Sequence, residues 1–290
     1  FVNCPDPQGS HRMAYWQWGN PQAEHVVLCV HGLSRQGRDF DVLAQALVAQ
    51  SPHLKVVCPD VVGRGQSDFL SDPAGYQIPT YAADMLTLLA ELKPQKLDWV
   101  GTSMGGLIGL VICGQPELAL TAPVRRLVLN DVGPVIEWQA LQRIGEYLGR
   151  PVTFASAAAA ADFLWTISTS FGPHTPEAWP ALSRHMVKPR LDGSGQFALH
   201  YDPAIAVAFK SMTPEAAVQG EALLWHLYDS VSATTLLTRG ALSDLLSPAT
   251  AHAMTQRGPG ARLVEFSGVG HAPTFVASEQ VQAVASFLLD

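Results

Sequence analysis

The sequence lacks several features that would assign it to a large class. Its 18 Lys and Arg are outnumbered by 25 Asp and Glu, leaving a net charge of −7 and no basic cluster. Neither nucleic acid nor an anionic membrane surface is therefore an expected partner. No apolar run approaches the length of a membrane span. The first residues, Phe1-Val2-Asn3-Cys4-Pro5, carry neither a basic segment nor an apolar one, so no signal peptide is visible in them, although the sequence begins at Phe rather than Met. Cys4, Cys29, Cys58 and Cys113 form no paired spacing. They read as buried, reduced thiols, which favours the cytoplasm. Ten histidines are present, yet no H-x-x-x-H or H-E-x-x-H pair occurs, and there is no G-x-x-x-x-G-K-[ST] phosphate loop. Neither a metal nor any other cofactor is expected.

What is present is a well-filled globular chain, 48% hydrophobic and 15% charged over 290 residues. Apolar, strand-like runs alternate with helical ones in the first half. Strands are read at Ala14 to Trp18, His25 to Val30, Lys55 to Cys58, Lys96 to Val100 and Arg126 to Asn130. Helices fall at Phe40 to Gln50, Thr80 to Leu92 and Met104 to Gln115. The rhythm breaks after Gly133-Pro134 and resumes with the strands Thr234–Thr238 and Ala261–Phe266 and the helices Ala249–Gln256 and Ser278–Leu289. Such alternation implies right-handed crossovers, a mainly parallel sheet, and sites gathered at the strands' carboxyl ends. The expected organisation is a core domain of residues 1–133 and 219–290, interrupted by a mostly helical insertion over 134–218.

Gly101-Thr102-Ser103-Met104-Gly105 is a G-x-S-x-G pattern between an apolar strand and a small-residue helix. In a turn that tight the central residue is forced into a strained conformation, and flanking glycines avoid collision. A serine hydroxyl needs a general base, and the base needs an orienting acid. Asp244 follows the strand Thr234–Thr238, and His271 follows Ala261–Phe266, so nucleophile, acid and histidine occur in that order. Asp131, at the end of Arg126–Asn130, competes for the role of acid, and Asp60 lies near the same sheet edge.

With Val30-His31-Gly32, Pro59 to Ser67, Gly101 to Gly106, Arg239 to Asp244 and Gly268 to Pro273, the chain resembles the α/β-hydrolase superfamily over nearly its whole length outside the insertion. The resemblance implies a doubly wound α/β-hydrolase sheet with a cap inserted after the sixth strand. It implies Ser103 as nucleophile, His271 as base and Asp244 as acid, although some family members place the acid where Asp131 stands. It also implies an oxyanion hole from the backbone N–H groups of Leu33 and Met104, with His31 bracing the loop and Arg64 and Ser67 tying down their own. Dehalogenases and epoxide hydrolases of the family use an aspartate nucleophile and are set aside by Ser103. The cap's many aromatics imply a mainly apolar pocket, with Arg35, Trp165 and Tyr201 as candidate substrate contacts and Arg143, Arg190 and His200 as further polar candidates. The expected activity is hydrolysis of a small-to-medium, largely apolar carboxylic ester by a monomer or homodimer acting on a small molecule. Carbon–carbon bond hydrolysis with the same triad, or a ligand-binding receptor with a vestigial one, are the alternatives; the first is disfavoured because Leu33 to Gly37 lacks that group's glycine and asparagine pattern.

Overall fold

In the computed structural model, which describes residues 1–118 and 120–290, an antiparallel hairpin (β1, Val2–Asp6; β2, Gly9–Met13) precedes the main sheet. The sheet is then built from β3 (Tyr15–Gly19), β4 (His25–Val30), β5 (Leu54–Pro59), β6 (Lys96–Thr102) and β7 (Val124–Asn130). Helices α1 (Asp41–Gln50), α2 (Ile78–Leu92) and α3 (Met104–Cys113) connect them. After a long excursion the chain returns with β11 (Thr234–Gly240), α9 (Pro248–Gln256), β12 (Arg262–Phe266) and α10 (Ser278–Leu289). The spatial order is β12-β11-β7-β6-β4-β5-β3, parallel throughout except for the antiparallel edge strand β3.

β4 shows why the sheet is covered on both faces. Its sequence HVVLCV is apolar without alternation, as a strand buried on two sides requires. Val26, Leu28 and Val30 enter the core beneath α2 and α3, while Val27 and Cys29 enter a second core beneath α1 and α10. The four cysteines are free, with Cys4, Cys29 and Cys58 buried. Among the described residues no helix is long and apolar enough to cross a membrane.

The segment between β7 and β11 holds α4 (Trp138–Tyr147), β8 (Thr153–Phe154), α5 (Ala157–Ser168), α6 (Ala178–Ser183), β9 (Val187–Pro189), β10 (Phe197–Leu199), α7 (Ile205–Lys210) and α8 (Pro214–Asp229). It is mostly helical, with one small antiparallel sheet ordered β8-β10-β9. It follows the fifth strand of the main sheet in chain order, the seventh counted from the hairpin. The expected boundary at residue 218 falls inside α8, and α8 packs on α3. Its Tyr228 is fully buried in the core and donates to the Met254 carbonyl of α9 at 2.5 Å. The C-terminal end of that helix thus packs beside α3, through Leu227 and Tyr228.

Candidate active site

Ser103 sits between β6 and α3 with φ 52° and ψ −116°, a conformation L-residues rarely adopt. The turn is possible because a Cβ on Gly101 would overlap the Gly105 carbonyl, and one on Gly105 would overlap the carbonyl of Val30. Only glycine lets α3 approach the sheet this closely. The hydroxyl is thereby presented at the N-terminus of a ten-residue helix, where the helix dipole favours negative charge.

Ser103 Oγ lies 3.0 Å from His271 Nε2, and His271 Nδ1 lies 2.7 Å from Asp131 Oδ2. With Nδ1–H donating to the carboxylate, Nε2 is free to accept the serine proton. Asp131 has no solvent exposure and takes a left-handed φ of 55° immediately after β7. It accepts from the Gly240 N–H at 2.9 Å through Oδ1 and from Ser243 Oγ at 2.6 Å through Oδ2. The Leu245 and Leu246 N–H groups face Ser243 Oγ at 3.3 and 3.2 Å, which leaves the hydroxyl proton for Asp131. A buried carboxylate with three donors needs no further partner.

The expected pairing of His271 with Asp244 is corrected here: the carboxylate bonded to the histidine is that of Asp131. Asp244 instead forms a two-pronged ion pair with Arg143 of α4, both contacts 2.9 Å, and its side chain is 49% exposed. The physical cause is the loop after β11, in which Ser243, not Asp244, turns inward. Asn130 ties the neighbourhood together from below. It donates to Thr102 Oγ1 at 3.0 Å and to the Pro273 carbonyl at 2.8 Å, and accepts from Thr238 Oγ1 at 2.9 Å. Ser170, just beyond α5, donates to the His271 carbonyl at 2.7 Å and accepts from the Gly270 N–H at 2.6 Å, so the inserted segment clamps the histidine loop.

The loop after β4 lies against Ser103, since a Cβ on Gly32 would stand 3.7 Å from Ser103 Cβ. The N–H groups of Leu33 and Met104 have no protein acceptor among the described residues. Buried His31 fixes the loop: its Nδ1 bonds the Gly32 carbonyl at 2.7 Å and its Nε2 accepts from the Val61 N–H at 2.9 Å. Burial pushes its pKa down to about 3, against the opposing Gly32 carbonyl and with help from the charges of Arg64 and Arg35. The ring is therefore neutral at ordinary pH. Arg64 is fully buried and donates to the Leu33 carbonyl at 2.8 Å and the Val62 carbonyl at 2.7 Å, with its guanidinium over the Tyr81 ring. Ser67 Oγ donates to the Asp60 carbonyl at 2.5 Å. Asp60 itself holds the Gly37 and Gln66 N–H groups at 2.8 and 2.9 Å, and burial raises its pKa.

A cavity of about 310 Å³ opens over Ser103 and His271, at the small end of ligand-pocket sizes. Arg35 and Tyr201 line it; Arg35 is held by Asp39 at 2.6 Å, and its guanidinium lies over the Phe171 ring. Trp165 does not line it. Its ring packs edge-on against Trp179 and His174, inside an apolar cluster of the inserted segment. Arg143 also faces the cavity, whereas Arg190 pairs with Asp192 on an exposed turn, and His200 bonds the His185 carbonyl. Ser243 and Asn130 lie within recognised stretches that single out their neighbours, and Ser170 lies in none; the inward turn of the β11 loop and the reach of the insertion bring them to the site.

Among the described residues one trio could hold a metal ion: Cys4, His11 and Asp84, whose ligand atoms lie within 4.8 Å of one another. Its groups are already engaged. His11 bonds Asp84 at 2.9 Å and Asp6 at 3.0 Å, and burial, then Asp84, push the Cys4 thiol up.

A family model described as alpha/beta hydrolase fold matches residues 25–277. A 3-hydroxybutyrate-oligomer hydrolase of Cupriavidus necator is 49% identical over 288 residues, spanning 99% of this chain and 96% of its own. Two crystal structures superpose over nearly the full chain. A putative hydrolase from Rickettsia typhi has a TM-score of 0.84 at 28% identity, covering 97% of this chain and 92% of its own. An alpha/beta hydrolase from Novosphingobium aromaticivorans has a TM-score of 0.81 at 31% identity, covering 99% and 96%.

Proposed function

The chain belongs to the alpha/beta hydrolase fold family, and we propose that within it this protein is a serine carboxylic ester hydrolase acting on short oligomers of a 3-hydroxy acid. The observation that carries the reading is the continuous array of Ser103, His271 and Asp131, bonded at 3.0 and 2.7 Å, at the floor of a mainly apolar cavity. The oligomer class comes from the Cupriavidus relative, with which nearly every residue of this chain aligns.

In this reading the carbonyl carbon of one ester link sits against Ser103 Oγ. As Oγ attacks, its proton passes to His271 Nε2, and the imidazolium is held by the buried Asp131. The carbonyl oxygen turns into the space between the Leu33 and Met104 N–H groups, where preorganised donors stabilise developing negative charge. Collapse breaks the bond to the leaving oxygen, which takes the proton from His271 and departs as an alcohol. Water then attacks the acyl-serine by the same proton route and releases the carboxylic acid. The segment between β7 and α8 acts as a cap, supplying the apolar roof from α5 and holding the histidine loop through Ser170. Arg35, paired to Asp39, shapes one wall.

The test is mass-spectrometric mapping of a fluorophosphonate adduct, with hydrolysis of 3-hydroxybutyrate dimer and trimer followed by chromatography. Labelling at Ser103 and cleavage abolished in Ser103→Ala are expected. Undiminished cleavage in that variant would refute the assignment.

A further inference from the structure

Three arginines stand on the cavity wall, and they are not equivalent. Arg35 is neutralised by Asp39, and Arg143 by Asp244. Arg150 lies three residues beyond the end of α4, is exposed, and has no carboxylate partner among the described residues. Only its backbone N–H is engaged, donating to the Tyr147 carbonyl at 3.3 Å. The wall around it, formed by Ile144, Tyr147, Val152 and Phe163, offers it no anion. An arginine on such a wall, with no acid to hold it, presents its full fork of donors to whatever enters.

From this we infer that Arg150 is the subsite for a free carboxylate on the substrate, on the leaving-alcohol side of the scissile ester. The inference rests on the ester-hydrolase reading above. In a linear oligomer of a hydroxy acid, every ester bond has the free carboxyl terminus on its alcohol side. A carboxylate gripped at Arg150 therefore sets which link reaches Ser103, and the departing group is a hydroxy acid that keeps its charge. Arg143, also on the cavity wall, is already paired with Asp244, which leaves Arg150 as the wall arginine with no carboxylate partner among the described residues. Neutral esters lack the handle. They enter the same cavity through apolar contact alone, so the arrangement discriminates free acids from their alkyl esters without altering the chemistry at Ser103.

The experiment compares wild type, Arg150→Gln and Arg150→Glu on linear 3-hydroxybutyrate dimer as the free acid, on its methyl ester, and on p-nitrophenyl butyrate. For the free acid, KM should rise about 3- to 10-fold in Arg150→Gln, a charge-assisted contact discounted for its solvent exposure, with kcat within a few-fold. It should rise further in Arg150→Glu. The two neutral esters should be unaffected, and the wild-type preference for the free acid should weaken as ionic strength increases. A free-acid KM unchanged in Arg150→Gln, or a KM that rises equally on all three substrates, overturns the subsite. A wild-type enzyme that cleaves only the neutral esters overturns it too while leaving the serine-hydrolase reading standing. A wild type that cleaves none of them, with Ser103 unlabelled by fluorophosphonate, brings down that underlying reading instead.

Discussion

Two single-atom-class substitutions, Asp131→Asn and Asp244→Asn, separate the carboxylate that geometry favours from the one that position after β11 favours. Asn is accommodated at residue 131 because its left-handed φ of 55° is one that Asn tolerates. The Gly240 N–H, 2.9 Å from Oδ1, keeps an acceptor only if the new amide places its oxygen there. Its NH2 must then face Ser243 Oγ and His271 Nδ1. A donor aimed at Nδ1 forces the imidazole proton onto Nε2, the nitrogen 3.0 Å from Ser103 Oγ, which can then no longer accept the serine proton. Loss of the correct tautomer in serine proteases is worth about 10⁴ in kcat, or roughly 5.5 kcal/mol of transition-state stabilisation. At residue 244 the change removes a half-exposed ion pair with Arg143, worth about 0–1 kcal/mol, so kcat should move by less than about fivefold. Steady-state kinetics on p-nitrophenyl butyrate, with thermal unfolding as a control for folding, read both variants. A loss of about a thousandfold or more in Asp244→Asn beside near-wild-type turnover in Asp131→Asn would refute the reasoning.

Three other outcomes follow from the same geometry. Ser243→Ala deletes one of three donors to Asp131 and should lower kcat about three- to tenfold with KM unchanged; an unaltered kcat would remove Ser243 from the site. Gly105→Ala drives a methyl into the Val30 carbonyl and should lower the unfolding free energy by about 1–3 kcal/mol or more in a urea titration, whereas wild-type stability would mean α3 has room to retreat. His31 has its pKa pushed down to about 3 by burial, so the folded protein resists a proton that the unfolded chain accepts below about 6.5. Its contribution is complete above that pH and is lost as pH falls toward 3, on the order of 5 kcal/mol in all. The pH slope of the unfolding free energy between those limits should therefore be shallower in His31→Asn than in wild type, and equal slopes would contradict the burial argument.

Much of this architecture is written in one-dimensional patterns, for physical reasons. A strand covered on both faces must be apolar throughout, so β4 and β5 stand out, and an elbow of the kind at Ser103 tolerates only glycine where backbones collide. The insertion also announces itself, because the β/α rhythm stops. Its far end is less legible: α8 is a helix like those before it, and only its last turn, with Leu227 and Tyr228, packs beside α3. Trp165 illustrates the same limit, since an aromatic that faces the insertion's own cluster and one that faces the cavity read alike in sequence.

The position of the acid is set by tertiary structure alone. Asp131 and Asp244 both follow strands, β7 and β11, that lie side by side in the sheet, so either loop can deliver a carboxylate to the same histidine. Which one does so depends on which residue of the β11 loop turns inward. A serine there supplies a hydroxyl, not a charge, and is therefore compatible only with a carboxylate already in place from β7. Ser243 beside Asp244 encodes that choice: two acids converging on one imidazole would repel each other in a site without exposure, whereas an acid and a hydroxyl share a proton. The Asp131 N–H still donates to the Thr238 carbonyl of β11 at 2.7 Å, and its left-handed backbone, one that Asp tolerates, turns the carboxylate toward His271. With the inner position satisfied, Asp244 stands at the surface, where it meets Arg143 of α4. The carboxylate that position alone would place beside His271 instead joins the loop carrying Ser243 to the wall of the cavity over Ser103.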